Sequence, residues 1–194
     1  MIARRIKLGK GAPRWLAALA NDQGIAAVEF ALLMPVFGLI FAGIADFGGV
    51  LLTRFRLDAA VSAGANYAMV NAASVSSASG ATLGTSISTV VANNAGSTWA
   101  DDAIVVNNGP TQNMTGGTST SGGTASNADS CYCPTISPSF AWGAAVTCGS
   151  ACGGGGIAGK FVTITATRTY APMFSGYGLV SNNTISVTTA VQTQ

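Results

Sequence analysis

Between Ile25 and Leu52 lie 28 residues that carry only two charges, Glu29 and Asp46. A helix rises 1.5 Å per residue, so this stretch reaches roughly 42 Å when helical, more than the roughly 30 Å of hydrocarbon in a bilayer. Such a segment crosses a membrane with some tilt. One residue in it needs an explanation. Glu29 is the fifth residue after Gly24, and an ionised carboxylate costs roughly 2.5 kcal/mol or more near a bilayer centre. The spacing of that carboxylate from that glycine is the most informative relation in the chain.

The flanking charges orient the segment. Residues 1–24 hold Arg4, Arg5, Lys7, Lys10 and Arg14 against Asp22, whereas residues 25–194 hold four cations and six anions. A short basic segment before an apolar helix stays on the cytoplasmic side, so the expected topology is N-terminus inside and residues beyond about 52 outside. The chain is 48% hydrophobic and 8% charged, against roughly 25% charged in ordinary soluble domains. That composition, with Gly, Ser, Thr and Asn filling the second half, suits an exported domain with a polar, weakly charged surface. Residues 15–20 are too short an apolar run for a cleaved secretory signal, and the long run follows the small residue instead of preceding it.

The run Gly24-Ile25-Ala26-Ala27-Val28-Glu29-Phe30-Ala31-Leu32-Leu33-Met34-Pro35 resembles the N-terminal motif of TadE-like pseudopilins, minor pilins of the tight-adherence (Tad/Flp) branch of type IV pili. The family pattern is a glycine, four small or apolar residues, a glutamate, an aromatic, and then an apolar run with an early proline. Its continuation resembles Gly43-Ile44-Ala45-Asp46-Phe47-Gly48 and Leu57-Asp58-Ala59-Ala60-Val61-Ser62-Ala63-Gly64-Ala65-Asn66-Tyr67-Ala68. The family often has Glu where this chain has Asp46, and Arg where it has Asn66. The resemblance covers about residues 24–70. It implies cutting by a prepilin peptidase between Gly24 and Ile25, which makes Glu29 the fifth residue of the mature chain. It also implies that Glu29 and Phe30 serve assembly. The implied partners are the inner membrane, the prepilin peptidase, other Tad pilins and pseudopilins, and the Tad inner-membrane assembly platform. The implied place is a single pass through the bacterial inner membrane with the C-terminal domain periplasmic, extracellular or within the pilus. A carboxylate and a new α-amino group near the start of an apolar helix are each costly alone, and pairing across neighbouring subunits offsets both. A rival reading keeps the helix as a mere tether for an extracytoplasmic binding domain outside any pilus.

The expected organisation is a basic leader over 1–24, a transmembrane helix over 25–52, its continuation over 53–78, and an α+β domain over 79–194. The fold class is thus α+β, a long N-terminal helix packed on a small antiparallel sheet in a pilin-like build. Pro35 should kink the helix, and small residues from Gly38 to Gly49 allow close packing. The alanine-rich run continues to about Val75, with Arg54, Arg56 and Asp58 marking emergence from the bilayer and Asp46 at the interface. Residues 74–80 break the pattern. Leu83, Ile87, Val90 and Val91 predict a short amphipathic helix over 81–95. Strands are predicted at 103–107, 160–170 and 184–191, forming a three-stranded sheet. Residues 108–159 are expected to be an irregular loop.

That loop holds Cys131, Cys133, Cys148 and Cys152. On the outer side of a membrane four cysteines predict two disulfides. Cys131 and Cys133 are too close to join each other, so each should cross to Cys148 or Cys152. Zinc would prefer Cys-x-x-Cys spacing and often histidine. The chain has no histidine, so the commonest general base and metal ligand are missing. The run Gly154 to Phe161 mimics a phosphate-binding loop, but Phe161 replaces the magnesium-binding hydroxyl and a strand follows where a helix should. No catalytic constellation is visible: Asp101 and Asp102 would point apart on a strand. Only Lys160 and Arg168 are basic after residue 56, which argues against nucleic acid. No enzyme, cofactor or metal is expected.

Overall fold

The computed structural model describes residues 25–136, 139–173 and 180–194. The basic leader and Gly24 lie outside the described residues. The chain divides into two compact units, one through Asp46 and one from Phe47 onward.

Helix α1 runs from Ile25 to Val70, 46 residues, and passes through Pro35. Proline lacks the N–H that would bond the carbonyl four residues back, so one helical hydrogen bond is missing there. In the second unit the helix acquires a buried stripe: Leu57, Ala60, Val61, Ala65 and Ala68 are all buried, at the three-and-four spacing of one helical face. Gly64 lies in the same stripe. A Cβ there would sit 2.8 Å from Val91 Cγ2 and 3.3 Å from both Ile87 Cγ2 and Ile164 Cδ1. Glycine therefore lets this helix approach its neighbours closely. The helix stops at Val70, short of Val75: Asn71 leaves helical geometry at φ −103 and ψ 28, while its N–H makes a last helical bond to the Tyr67 carbonyl at 3.1 Å and its side-chain Nδ2 donates to the same carbonyl at 2.9 Å. A 3-10 turn over Ala72–Ser74 follows.

Helix α2 spans Gly80–Ala95 and buries Leu83, Ile87, Ser88, Val91 and Ala95. Val90, expected in that stripe, is only half-buried. Gly96 ends the helix at φ +101, where its N–H closes on the Ala92 carbonyl at 2.7 Å, a termination that favours glycine.

Seven strands follow: β1 (Asp101–Val106), β2 (Pro110–Thr115), β3 (Thr118–Gly123), β4 (Cys131–Tyr132), β5 (Ala145–Val146), β6 (Phe161–Thr169) and β7 (Thr184–Gln192) among the described residues. The main sheet has five of them, all pairs antiparallel, in the order β3-β2-β1-β6-β7. Strands β1, β6 and β7 are those expected. Val162, Ile164 and Ala166 are buried on one face of β6, beside Ile104 and Val106 of β1 and Ile185 of β7. That face, with α1 and α2, forms the core.

Strands β2 and β3 correct the expectation of an irregular loop beginning at 108. Apart from Pro110 and Met114 they are built from Thr, Ser, Asn, Gln and Gly, which carry no apolar alternation, and β3 is exposed at every position. Hydrogen-bond pairing, of β2 to β1 and of β3 to β2, and tight turns make them strands. Asn107 and Asn108 take φ +52 and +54, and Gly116 and Gly117 take +56 and +82. The two-residue turn of Gly116 and Gly117 has the hand that matches the twist of antiparallel strands, and three residues, Asn107 to Gly109, join β1 to β2.

Candidate functional site

The first candidate is the exposed length of α1. Ile25 opens the helix, while its partner in the expected cleavage site, Gly24, lies outside the described residues. Glu29 is exposed, and Phe30 beside it is 61% exposed. From Val28 to Phe41 all large apolar side chains are exposed, Leu32 at 72%. The best window of this helix has a mean hydropathy of 2.1 with none of it buried within the protein. Among the described residues it is the one helix long and apolar enough to cross a membrane. A soluble core helix would bury that surface. Gly38, Gly43 and Gly48 have open space where a Cβ would stand, whereas Gly49 lies against the Tyr170 ring. Asp46, expected at the membrane interface, is instead buried, with 2% exposure.

The second candidate is the cysteine-bearing loop. Cys131 joins Cys148 and Cys133 joins Cys152, with Cα separations of 5.0 and 5.6 Å. Each half of the Cys-x-Cys pair thus crosses to one half of Cys-x-x-x-Cys, giving the connectivity that spacing alone left open. The two bridges flank a two-strand ribbon of β4 (Cys131–Tyr132) and β5 (Ala145–Val146). Each would close a loop of 17 or 19 residues, worth about 3 kcal/mol in the chain-entropy account. Trp142 meets Tyr132 and Phe140 edge-on, at centroid distances of 5.8 and 4.9 Å. A cavity of about 750 Å³ lies against Ile136, Ile157 and the glycines 153–156. Gly154, Gly155 and Gly156 belong to the run that imitates a phosphate loop. The strand β6 starts at Phe161, and Lys160 is spent on the Val75 carbonyl at 2.8 Å, so the imitation has neither the helix nor a free lysine.

Asn107 sets where this loop leaves the sheet. It is fully buried, donates Nδ2 to the carbonyls of Ala128 and Ser130 at 3.0 and 2.6 Å, and accepts the Phe161 N–H at 3.1 Å. Sequence reasoning passed over it, although an Asn-Asn-Gly turn after an apolar strand was a visible cue.

The two aspartates do point apart, but both lie within β1. Asp101 accepts the Gly116 N–H at 2.8 Å. Asp102 faces inward, 5% exposed, and takes the Ser88 hydroxyl at 2.9 and 3.1 Å. Burial pushes its carboxyl up to about 6, against the Ser88 hydrogen bond, which lowers it. The neighbouring Asp101 charge adds to the rise, and the Ser88–Asp102 pair joins α2 to β1. Among the described residues no cluster of three or more His, Cys, Asp or Glu is placed to hold a metal.

These features define a class: an α+β domain with two disulfides, carried on one long apolar helix of membrane-spanning length. Within it, residues 24–66 match the family model described as TadE-like protein. The match starts at the glycine of the motif and ends in the buried stripe of α1, so the shared part is the helix and the α+β domain beyond it is outside the match. No characterised protein and no solved structure matches the chain.

Proposed function

We propose that this chain is a minor pseudopilin of a Tad/Flp pilus. In this reading it enters the inner membrane through α1 with the basic leader in the cytoplasm. A prepilin peptidase cuts between Gly24 and Ile25, and α1 then packs among other Tad pilins and pseudopilins on the assembly platform. The observation that carries the reading is the TadE-like match beginning at Gly24, directly ahead of a helix that exposes its apolar side chains from Val28 onward. Such a surface needs lipid or neighbouring helices. Glu29, near the start of that surface, would pair with the new amino group of Ile25, within one helix at i and i+4 or across subunits.

The test is the mature N-terminus. The full chain is expressed with and without a prepilin peptidase, and intact mass and N-terminal sequencing are read. Ile25 as first residue, only with the peptidase, is expected. An identical N-terminus in both strains refutes processing and leaves the helix as a tether.

A further inference from the structure

Three aromatic and charged groups meet within the second unit, beside α1. The guanidinium carbons of Arg56 on α1 and Arg168 on β6 each lie 4.2 Å from the centre of the Trp99 ring. Arg168 also donates to the Trp99 carbonyl. Among the described residues neither guanidinium has a carboxylate at ion-pair distance. Each guanidinium carries five N–H donors, so most of them are unspent. Arg54, two residues earlier, is exposed as well. Beside the stack a cavity of about 200 Å³ is lined by Thr98, Thr167 and Thr169, which add hydroxyls, and by Asp101. Asp101 is committed to the Gly116 N–H, and the two arginines outnumber it.

The surface of α1 says which anion would meet these donors. Phe47, Leu52 and Phe55 are exposed, at 54, 72 and 63%. From Arg56 to Ala68 the helix exposes no large apolar side chain; the next is Met69. The apolar surface therefore ends at the level of the stack. In a helix that crosses a bilayer, that boundary falls at the headgroups, where tryptophan and arginine are at home. Guanidinium pairs with phosphate through two parallel hydrogen bonds.

We propose that the Arg56–Trp99–Arg168 stack is a docking site for phospholipid phosphate, seating the outer domain on the surface of the bilayer that α1 spans. The site rests on membrane insertion of α1 and on no other part of the pilus reading. A stack serving only to staple α1 to β6 would leave its donors in water.

The test uses the full chain in nanodiscs of phosphatidylcholine, with Trp15→Phe and Trp142→Phe leaving Trp99 as the one tryptophan. Lipids brominated near the headgroup should cut Trp99 emission relative to plain lipids. Arg56→Gln with Arg168→Gln should remove most of that loss, and the double Lys variant should restore part of it. Thiol labelling without reductant checks that the disulfides, and so the domain, remain intact in each variant. A second protein, carrying Val36→Trp as its one tryptophan through Trp15→Phe, Trp99→Phe and Trp142→Phe, reports insertion independently. Quenching at position 36 with none at Trp99 overturns the docking site and leaves the membrane reading standing; quenching at neither overturns both. Equal quenching of the Gln variants also overturns it. In maltoside micelles, which lack phosphate, added inorganic phosphate should leave Trp99 emission unchanged. A clear response there reassigns the site to soluble anions and overturns the lipid assignment.

Discussion

Gly64→Ala tests whether close approach of α1 holds the outer domain together. In the structure the new Cβ would stand 2.8 Å from Val91 Cγ2 and 3.3 Å from Ile87 Cγ2 and Ile164 Cδ1. The first distance lies well inside methyl–methyl contact, and Val91, Ile87 and Ile164 are at most 1% exposed, so none can swing into solvent. Overpacking of this kind costs about 1–3 kcal/mol. Against it stands the gain of replacing glycine within a helix, about 1 kcal/mol. The difference is a net loss of up to roughly 2 kcal/mol, with the clash winning because three contacts must open at once. For a chain of this size that lowers the melting temperature by up to about 8 °C. Gly38→Ala is the matched control, since its Cβ would meet nothing within 4 Å. The assay is thermal unfolding of the disulfide-intact protein in detergent, followed by circular dichroism. If Gly64→Ala melts at or above the Gly38→Ala temperature, the helix is not held close at this point and the reasoning fails.

Other outcomes follow from single sites. Asp102 has a folded-state carboxyl raised to about 6 from 3.8, so its contribution is fully present below pH 3.8 and is lost as pH rises through about 6. Relative to Asp102→Asn, wild type should therefore lose about 1–3 kcal/mol between pH 4 and 7, and parallel denaturation profiles for the two proteins would disprove this. Glu29→Ala should leave insertion and cleavage intact while abolishing piliation, with Glu29→Asp recovering part; normal piliation of the Ala strain would show the carboxylate to be only interfacial. Cys133→Ser with Cys152→Ser should weaken the loop by about 3 kcal/mol, read as faster amide exchange over residues 131–157 with the amides of β1 and β6 unchanged, and equal acceleration in β6 would contradict local action.

The parts legible in the sequence are those where burial imposes a period. Val162, Ile164 and Ala166 alternate, as do Ile185 and Val187, and Leu83, Ile87 and Val91 recur at helical spacing; each set is buried or half-buried as its period requires. Strands β2 and β3 had no such period, since Gln112 is the one polar side chain on them that is buried and it is satisfied by Ser119 and Ser121 on β3. The glycine pair between them was a usable turn signal that composition masked. Ser88 and Asp102 could not be paired from sequence, because neither has a pattern and their contact depends on how α2 lies on β1. The Trp99 stack joins residues 43 and 69 positions apart, a spacing that no local rule detects.

Sparse charge explains how the loop of 131–159 can be carried without disturbing the sheet. Hydrogen bonding from Ser77, with Lys160 nearby, holds the Asp129 carboxyl below its usual range, and Asp129 takes the Ser77 N–H at 2.8 Å. Lys160 donates to the Val75 carbonyl at 2.8 Å. One residue precedes the first cysteine and the other follows the last, yet both bind the short link between α1 and α2. Asn107 repeats the arrangement from the sheet side, through Ser130 before the loop and Phe161 after it. Both ends of the loop are thus fixed to the same two places by bonds to backbone groups, which substitution of neighbouring side chains does not remove. Within those ends the disulfides, and not an apolar core, order a glycine-rich segment that buries few large side chains. Its length and surface can then change at little cost to the helices and β6, as closure entropy grows only slowly with loop length. The physical division is between a helix-and-sheet base and a variable, stapled outer surface.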